Sequence, residues 1–294
     1  MKLTRLAALV VVPAAFSLAA CAGGSSGIVG GGGGGLAQQA NVRFVDGSPS
    51  NQSIDVYFQS TGSASPSSPL IAALPYAVPS DFKVLPTVAG SVIVQNAGGA
   101  APSAGTGTLT SCPVPQFANN GNYSIVITQG NGVLNCAIFQ DNIYTGTSQY
   151  RFHNASPNSG GTVAYGTVTA PGAPGATFTV QGTAPVGQLA AGASGATSYT
   201  QISPVTLGST TNVSFAVGPN SGTQTSTATN TLDASALTLP GTNTQPNAGN
   251  NTFTAPSGYA GASIYDIACT AGSTLPTGAH CIANNALIGV FDTH

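Results

Sequence analysis

The side chains able to do acid–base chemistry are few: three His, seven Asp and no Glu in 294 residues. His153 is the best placed general-base candidate, and such a base needs a carboxylate to orient it. The nearest Asp in sequence is Asp141. The plainer reading packs His153 at a strand end and leaves His280 and the terminal His294 solvated. Asp46 and Asp55 carry the oxygen ligands that suit calcium. No Asp-rich loop of the usual ligand spacing surrounds them, so no metal is expected. Gly23-Gly24-Ser25-Ser26-Gly27 matches G-x-S-x-G. A nucleophile elbow requires a buried strand before the serine and a helix after it, whereas here glycines flank it. No catalytic residue emerges, and the chain reads as non-enzymatic and free of cofactors.

Cysteine chemistry is better supported. Besides Cys21 there are Cys112, Cys136, Cys269 and Cys281. An even number in an exported chain suggests two disulfides. Three pairings are possible, and Cys112–Cys136 with Cys269–Cys281 is favoured because each pair stays inside one expected domain. No C-x-x-C spacing points to a metal.

Cys21 has a different context. Lys2 and Arg5 precede an apolar stretch from Leu6 to Phe16, which is shorter than the roughly 20 residues a spanning helix needs. It ends in Leu18-Ala19-Ala20-Cys21, which resembles a bacterial lipobox. The resemblance implies cleavage before Cys21, diacylation of its thiol and acylation of the new terminus (a palmitate-type anchor). One chain holds a protein to a membrane weakly and two or three hold it firmly. Ala22, in place of Asp, favours the outer membrane if the source has two. Residues 1–20 are therefore expected to be a signal peptide, and 21–40 a lipidated Cys on a flexible Gly-rich linker.

Composition narrows the partners. Charged residues make up 4% of the chain, against roughly 25% in an ordinary soluble domain. Past the leader, Arg43, Lys83 and Arg151 face seven Asp, a formal charge of about −4. Three cations cannot neutralise a run of phosphates, so nucleic acid is excluded as a partner. The scarcity of Glu, Lys and Arg also argues against helical bundles.

The elements that would position these residues are strands. Short β-rich runs lie near 41–46, 54–59, 80–85, 91–96, 122–128, 133–139, 149–154, 162–168, 176–181, 198–203, 211–217, 263–268 and 286–291. Gly- and Pro-rich turns separate them. The segment 218–252 is poor in bulky apolar residues and reads as a long loop. A repeat is also visible. Arg43-Phe44-Val45-Asp46-Gly47-Ser48-Pro49 returns as Arg151-Phe152-His153-Asn154-Ala155-Ser156-Pro157, and five of the fifteen positions from 43 to 57 are identical. Asp46 and Asn154 suit turns in which the side chain bonds an amide two residues on. Arg43 is expected to pair with Asp55 on a neighbouring strand. The second copy has Val163 at the matching position, so these cations read as structural rather than as a shared ligand clamp.

With Ile54-Asp55-Val56-Tyr57, Leu85-Pro86 and Ala89-Gly90-Ser91, this motif resembles bacterial domains of unknown function 4397. That family resemblance implies secreted or lipid-anchored β-sandwich proteins and no established activity. The expected fold is all-β: two immunoglobulin-like sandwiches in tandem, 41–148 and a divergent 149–294. The expected function is a cell-envelope lipoprotein of structural, adhesive or protein-binding role, held to the membrane by Cys21. Its partner would be an envelope protein or a glycan. An alternative is a carbohydrate-binding module using exposed Tyr and Asn; an exported hydrolase ranks last.

Overall fold

The computed structural model describes residues 38–49, 52–102, 108–130, 133–169, 172–189, 199–208 and 212–293. The segment expected to be a signal peptide, Cys21, most of the glycine-rich stretch and His294 lie outside these residues.

The chain is all-β. Its strands are β1 (Gln39–Gly47), β2 (Ile54–Ser60), β3 (Ile71–Leu74), β4 (Lys83–Pro86), β5 (Gly90–Asn96), β6 (Thr110–Val114), β7 (Asn122–Gly130) and β8 (Val133–Asp141) in the first half. The second half holds β9 (Gln149–Asn154), β10 (Val163–Val168), β11 (Thr177–Ala184), β12 (Gln188–Leu189), β13 (Thr200–Ile202) and β14 (Val205–Thr206). It continues with β15 (Ser214–Pro219), β16 (Thr225–Thr227), β17 (Asn230–Asp233), β18 (Tyr259–Ala268) and β19 (Asn285–Thr293).

The repeat extends to topology. In the first half one sheet runs β4-β1-β7-β8 and another β3-β2-β5-β6. The second half gives β14-β9-β18-β19 and β11-β10-β15-β17, the latter with β16 added at its edge. In both, the first strand runs parallel to the penultimate one, β1 to β7 and β9 to β18. Chain inserted in the second copy, including β12 and β13, breaks an ungapped comparison. The sequence match therefore fades where the pairing does not.

Alternation along β1 sends Ala40, Val42 and Phe44 into a core with Val56, Val94, Ile125 and Ile138. Arg43 and Val45 point to the opposite face, toward β18 and β19 of the second half. Tyr150 and Phe152 of β9 point away from that contact, against Phe215 and Tyr165. Each half thus has an outer and an inner sheet, and the two inner sheets pack face to face. Strands covered on both faces lose the polar-out alternation, and every residue of β9 is buried. β12 and β13 also pair with β8. The second half thereby covers an edge that would otherwise offer unpaired backbone groups.

The segment 218–252 is not one long loop. β16 pairs with β11 and β17 with β15, and Leu232, Ala234 and Leu237 are buried in the core. Small residues fit here because the segment completes an outer sheet whose inner face needs only a few apolar side chains. Both disulfides have the favoured pairing, Cys112–Cys136 and Cys269–Cys281. The first ties β6 of the outer sheet to β8 of the inner one.

Candidate functional site

The facing inner sheets bring the repeat-motif residues together. Strand register places Arg43 opposite Ser124 on β7, and Arg151 opposite Ser263 on β18. Asp141 and Asp292 occupy corresponding ends of β8 and β19. Ser124 Oγ donates to Asp141 Oδ2 at 2.7 Å, and Ser263 Oγ donates to Asp292 Oδ2 at 2.6 Å. Each half thus contributes one Arg, one Ser and one Asp.

Two of the ion pairs cross between halves, Arg43–Asp292 and Arg151–Asp141. Arg43 Nη1 bonds Asp292 Oδ1, and its Nε donates to Ser80 O at 3.1 Å. Arg151 Nη2 reaches Asp292 Oδ2 at 3.1 Å, and its Nη1 lies 3.8 Å from Asp141 Oδ1. Arg151 also donates to Tyr144 Oη at 2.9 Å and to Asn142 O at 2.7 Å. Each guanidinium stacks on an aromatic ring, Arg43 on Phe82 and Arg151 on Tyr144. Both arginines and both aspartates are buried.

Electrostatics agree with the geometry. Burial disfavours the charge on Asp292, but Arg43 and Arg151 hold its carboxyl well below the usual carboxylate range. Asp141 is likewise buried and likewise lowered, by Arg151 and then His153. Burial opposes the charge on both arginines; Asp292 restores it at Arg43, and Tyr144 with Asp141 and Asp292 does so at Arg151. In a medium that penalises isolated ions, the cluster survives because it is mutually compensated.

His153 belongs to this cluster. Its Nε2 lies 2.7 Å from Asp141 Oδ1, and its Nδ1 lies 3.2 Å from Ile264 O. The ring stacks on Tyr265 and meets the edge of Phe139. Ser124, Asp141 and His153 are therefore neighbours in the wrong order for nucleophilic catalysis. The serine bonds the carboxylate rather than the imidazole, and both ring nitrogens face oxygen acceptors. A triad needs the histidine in the middle. The arrangement links the two inner sheets.

The remaining motif residues have local roles. Asp46 Oδ1 accepts from Ser48 N at 3.0 Å and from Ser48 Oγ at 2.6 Å, the expected turn. Asn154 departs from that expectation. Its Nδ2 donates to Gly161 O and Ala184 O, and Ser156 instead caps a short 3-10 turn over Pro157–Ser159. An amide has donors that a carboxylate lacks, so the same position can turn to different partners. Pro49 and Pro157 follow Ser48 and Ser156 in their respective turns. Asp55 does not pair with Arg43; its oxygens accept from Ala73 N at 2.8 Å and Gly98 N at 3.0 Å. Arg43 projects from the opposite face of its sheet, where Asp292 waits. Among the described residues, no cluster of three or more His, Cys, Asp or Glu could hold a metal.

The exposed tyrosines that the carbohydrate-binding alternative would use are not found. Six of the nine Tyr are buried and Tyr165, Tyr199 and Tyr259 are half-buried. Tyrosines supply core area here, with hydroxyls bonded inside, as Tyr76 Oη donates to Ala268 O at 2.8 Å. Asp292, Tyr144 and Ser263 were not singled out by sequence reasoning. Only the correspondence of Phe139-Gln140-Asp141 with Val290-Phe291-Asp292, seen once the strands are aligned, exposes the second acid.

Two disulfides are consistent with an exported protein. Among the described residues, no helix is long and apolar enough to cross a membrane. No protein-family model matches the chain, and no curated protein matches it as a relative.

Proposed function

We propose that the chain is a lipid-anchored cell-envelope protein with a non-enzymatic structural, adhesive or protein-binding role. Acylated Cys21 and the Gly-rich linker tether the β body, whose two halves resemble domains of unknown function 4397 in tandem. The observation that carries this reading is the fate of the reactive side chains. Arg43, Arg151, His153, Ser124, Asp141 and Asp292 are buried and spent on one another between sheets. A body built this way offers partners its loops and sheet edges. The outer membrane is the favoured location where the source has two membranes.

Metabolic labelling with a palmitate analogue tests the anchor. The label is expected on the wild-type chain and absent from Cys21→Ser; an unlabelled wild type ends the lipoprotein reading. A fluorophosphonate probe tests the non-enzymatic part. Ser124 is expected to stay unmodified in the folded protein, and stoichiometric labelling there would revive the hydrolase.

A glycan-binding role is a second reading, resting on one observation. A pocket of about 250 Å³ at the rim of the ionic interface is lined by Asn41, Asn120 and Asn122 beside Phe82 and Tyr144. Amides next to rings suit sugar hydroxyls and C–H faces. A glycan array would report binding that Asn120→Ala weakens.

A further inference from the structure

One pocket holds polar demand that the fold leaves unmet. It measures about 260 Å³ and lies among the 157–162 turn, the ends of β10, β15 and β17, and the turn at 282–285. Asp266 enters it from β18 and Asn230 from β17. Ser159 Oγ donates to Asp266 Oδ2 at 2.5 Å, while Oδ1 has no donor. Asn230 Nδ2 donates to Asn285 O at 2.6 Å, while its Oδ1 also has none. These side chains are only 1% and 2% exposed, so an unmet acceptor on each is costly.

The surroundings define what would fit. Both orphan atoms are acceptors. No cationic side chain, and no ionisable group besides Asp266, lines the pocket. Val163, Val217 and Ile282 supply apolar wall. On the rim, Ala283 and Asn284 hold consecutive positive φ angles of 51° and 64°. These are the two central residues of a tight turn closed by reciprocal bonds between Ile282 and Asn285, which calls for positive φ at both. The first half has nothing equivalent: the register that sets Asp266 beside Asn154 sets Ile127 beside Asp46. The acid on this strand is particular to the second copy.

We propose that this pocket binds the protonated primary amine of a small polar ligand, with Asp266 facing the ammonium and Asn230 accepting a second N–H bond. An ammonium brings three donors and no acceptor, which suits two orphan acceptors, one of them on a carboxyl that no cation compensates. Calcium would want six to eight oxygens, and a neutral hydroxyl would leave the carboxyl unpaired. The volume admits a short aminoalkyl chain, at the small end of ligand sites. Burial holds the Asp266 carboxyl up to about 7, so affinity should rise as pH passes through neutrality. The site does not depend on the anchor at Cys21, and the two readings can fail separately.

Titration calorimetry on the full chain tests this with 1,4-diaminobutane against its neutral analogue 1,4-butanediol, and with calcium chloride alone. The diamine is expected to bind about tenfold or more tighter than the diol, and more tightly near pH 8 than near pH 6. Asp266→Asn should lose about tenfold in affinity. Thr162→Trp, at an exposed lining position, should block binding without touching the carboxyl. Asp46→Asn, which removes a buried acid elsewhere, should leave affinity intact. Equal binding of the diol, saturation by calcium, no diamine binding at either pH, or unchanged affinity in Asp266→Asn would each overturn the proposal.

Discussion

Arg43 on the first strand and Asp292 on the last form an ion pair across 249 residues of chain, with neither side chain more than 1% exposed. Asp292 also receives Arg151. One carboxylate therefore answers both arginines of the repeat, and it locks the inner sheet of one half onto that of the other.

Asp292→Asn should accordingly be the more damaging change at this pair. It removes the acid that both buried guanidinium groups share and leaves Arg43 without its ionic partner, and breaking a buried pair costs about 3–5 kcal/mol. Arg43→Met should cost less, because Arg151 still compensates Asp292. Urea unfolding curves check the order; a larger loss in Arg43→Met than in Asp292→Asn would contradict the shared-acid arrangement.

The pH profile of stability should fall on the alkaline side. Burial raises the Asp46 and Asp266 carboxyls to about 7 from an ordinary 3.8. Between these values the folded chain keeps protons that the unfolded chain has lost, so stability declines as pH rises and the loss is complete above about 7. Asp141 and Asp292 work in the opposite sense: their depressed folded values give stability present above the ordinary carboxylate range and lost in strong acid. The maximum should fall on the acid side of neutrality. Asp46→Asn and Asp266→Asn should flatten the decline and raise the melting temperature near pH 8. The second copy already carries an amide, Asn154, at the position of Asp46. Thermal unfolding from about pH 5 to about pH 8.5 decides.

Loss of either disulfide should lower stability by about 3 kcal/mol in the chain-entropy account, given cysteine separations of 24 and 12 residues. The consequences should differ in place. Removing Cys112–Cys136 frees the outer sheet of the first half from the inner one, and exchange protection should fall across β5 and β6. Removing Cys269–Cys281 should loosen the 270–284 segment first. Hydrogen exchange on the two double-serine variants separates them.

Gly166→Ala should destabilise more than a surface glycine substitution. A Cβ at Gly166 would sit 2.1 Å from the Thr179 carbonyl oxygen, at a register shift between β10 and β11. Backbone cannot yield as a side-chain tip can, so several kcal/mol are expected. Gly208→Ala, with open space around its Cβ, is the control and should move the midpoint little.

Local pattern by itself determined the β class and most strand positions, because alternation and turn residues act over a few residues; it favoured the disulfide pairing found here and left two others open. It also marked Arg43 and Arg151 as equivalent and structural. It did not give the partner of Arg43, since Asp55 is nearer in the chain but lies on another face. Nor did it give the strands within 218–252, whose small residues carry little local signal. Those were decided only by tertiary structure. A buried charge must find its compensation in space, and the carboxylate that provides it sits on the final strand, brought there by the packing of two repeated halves.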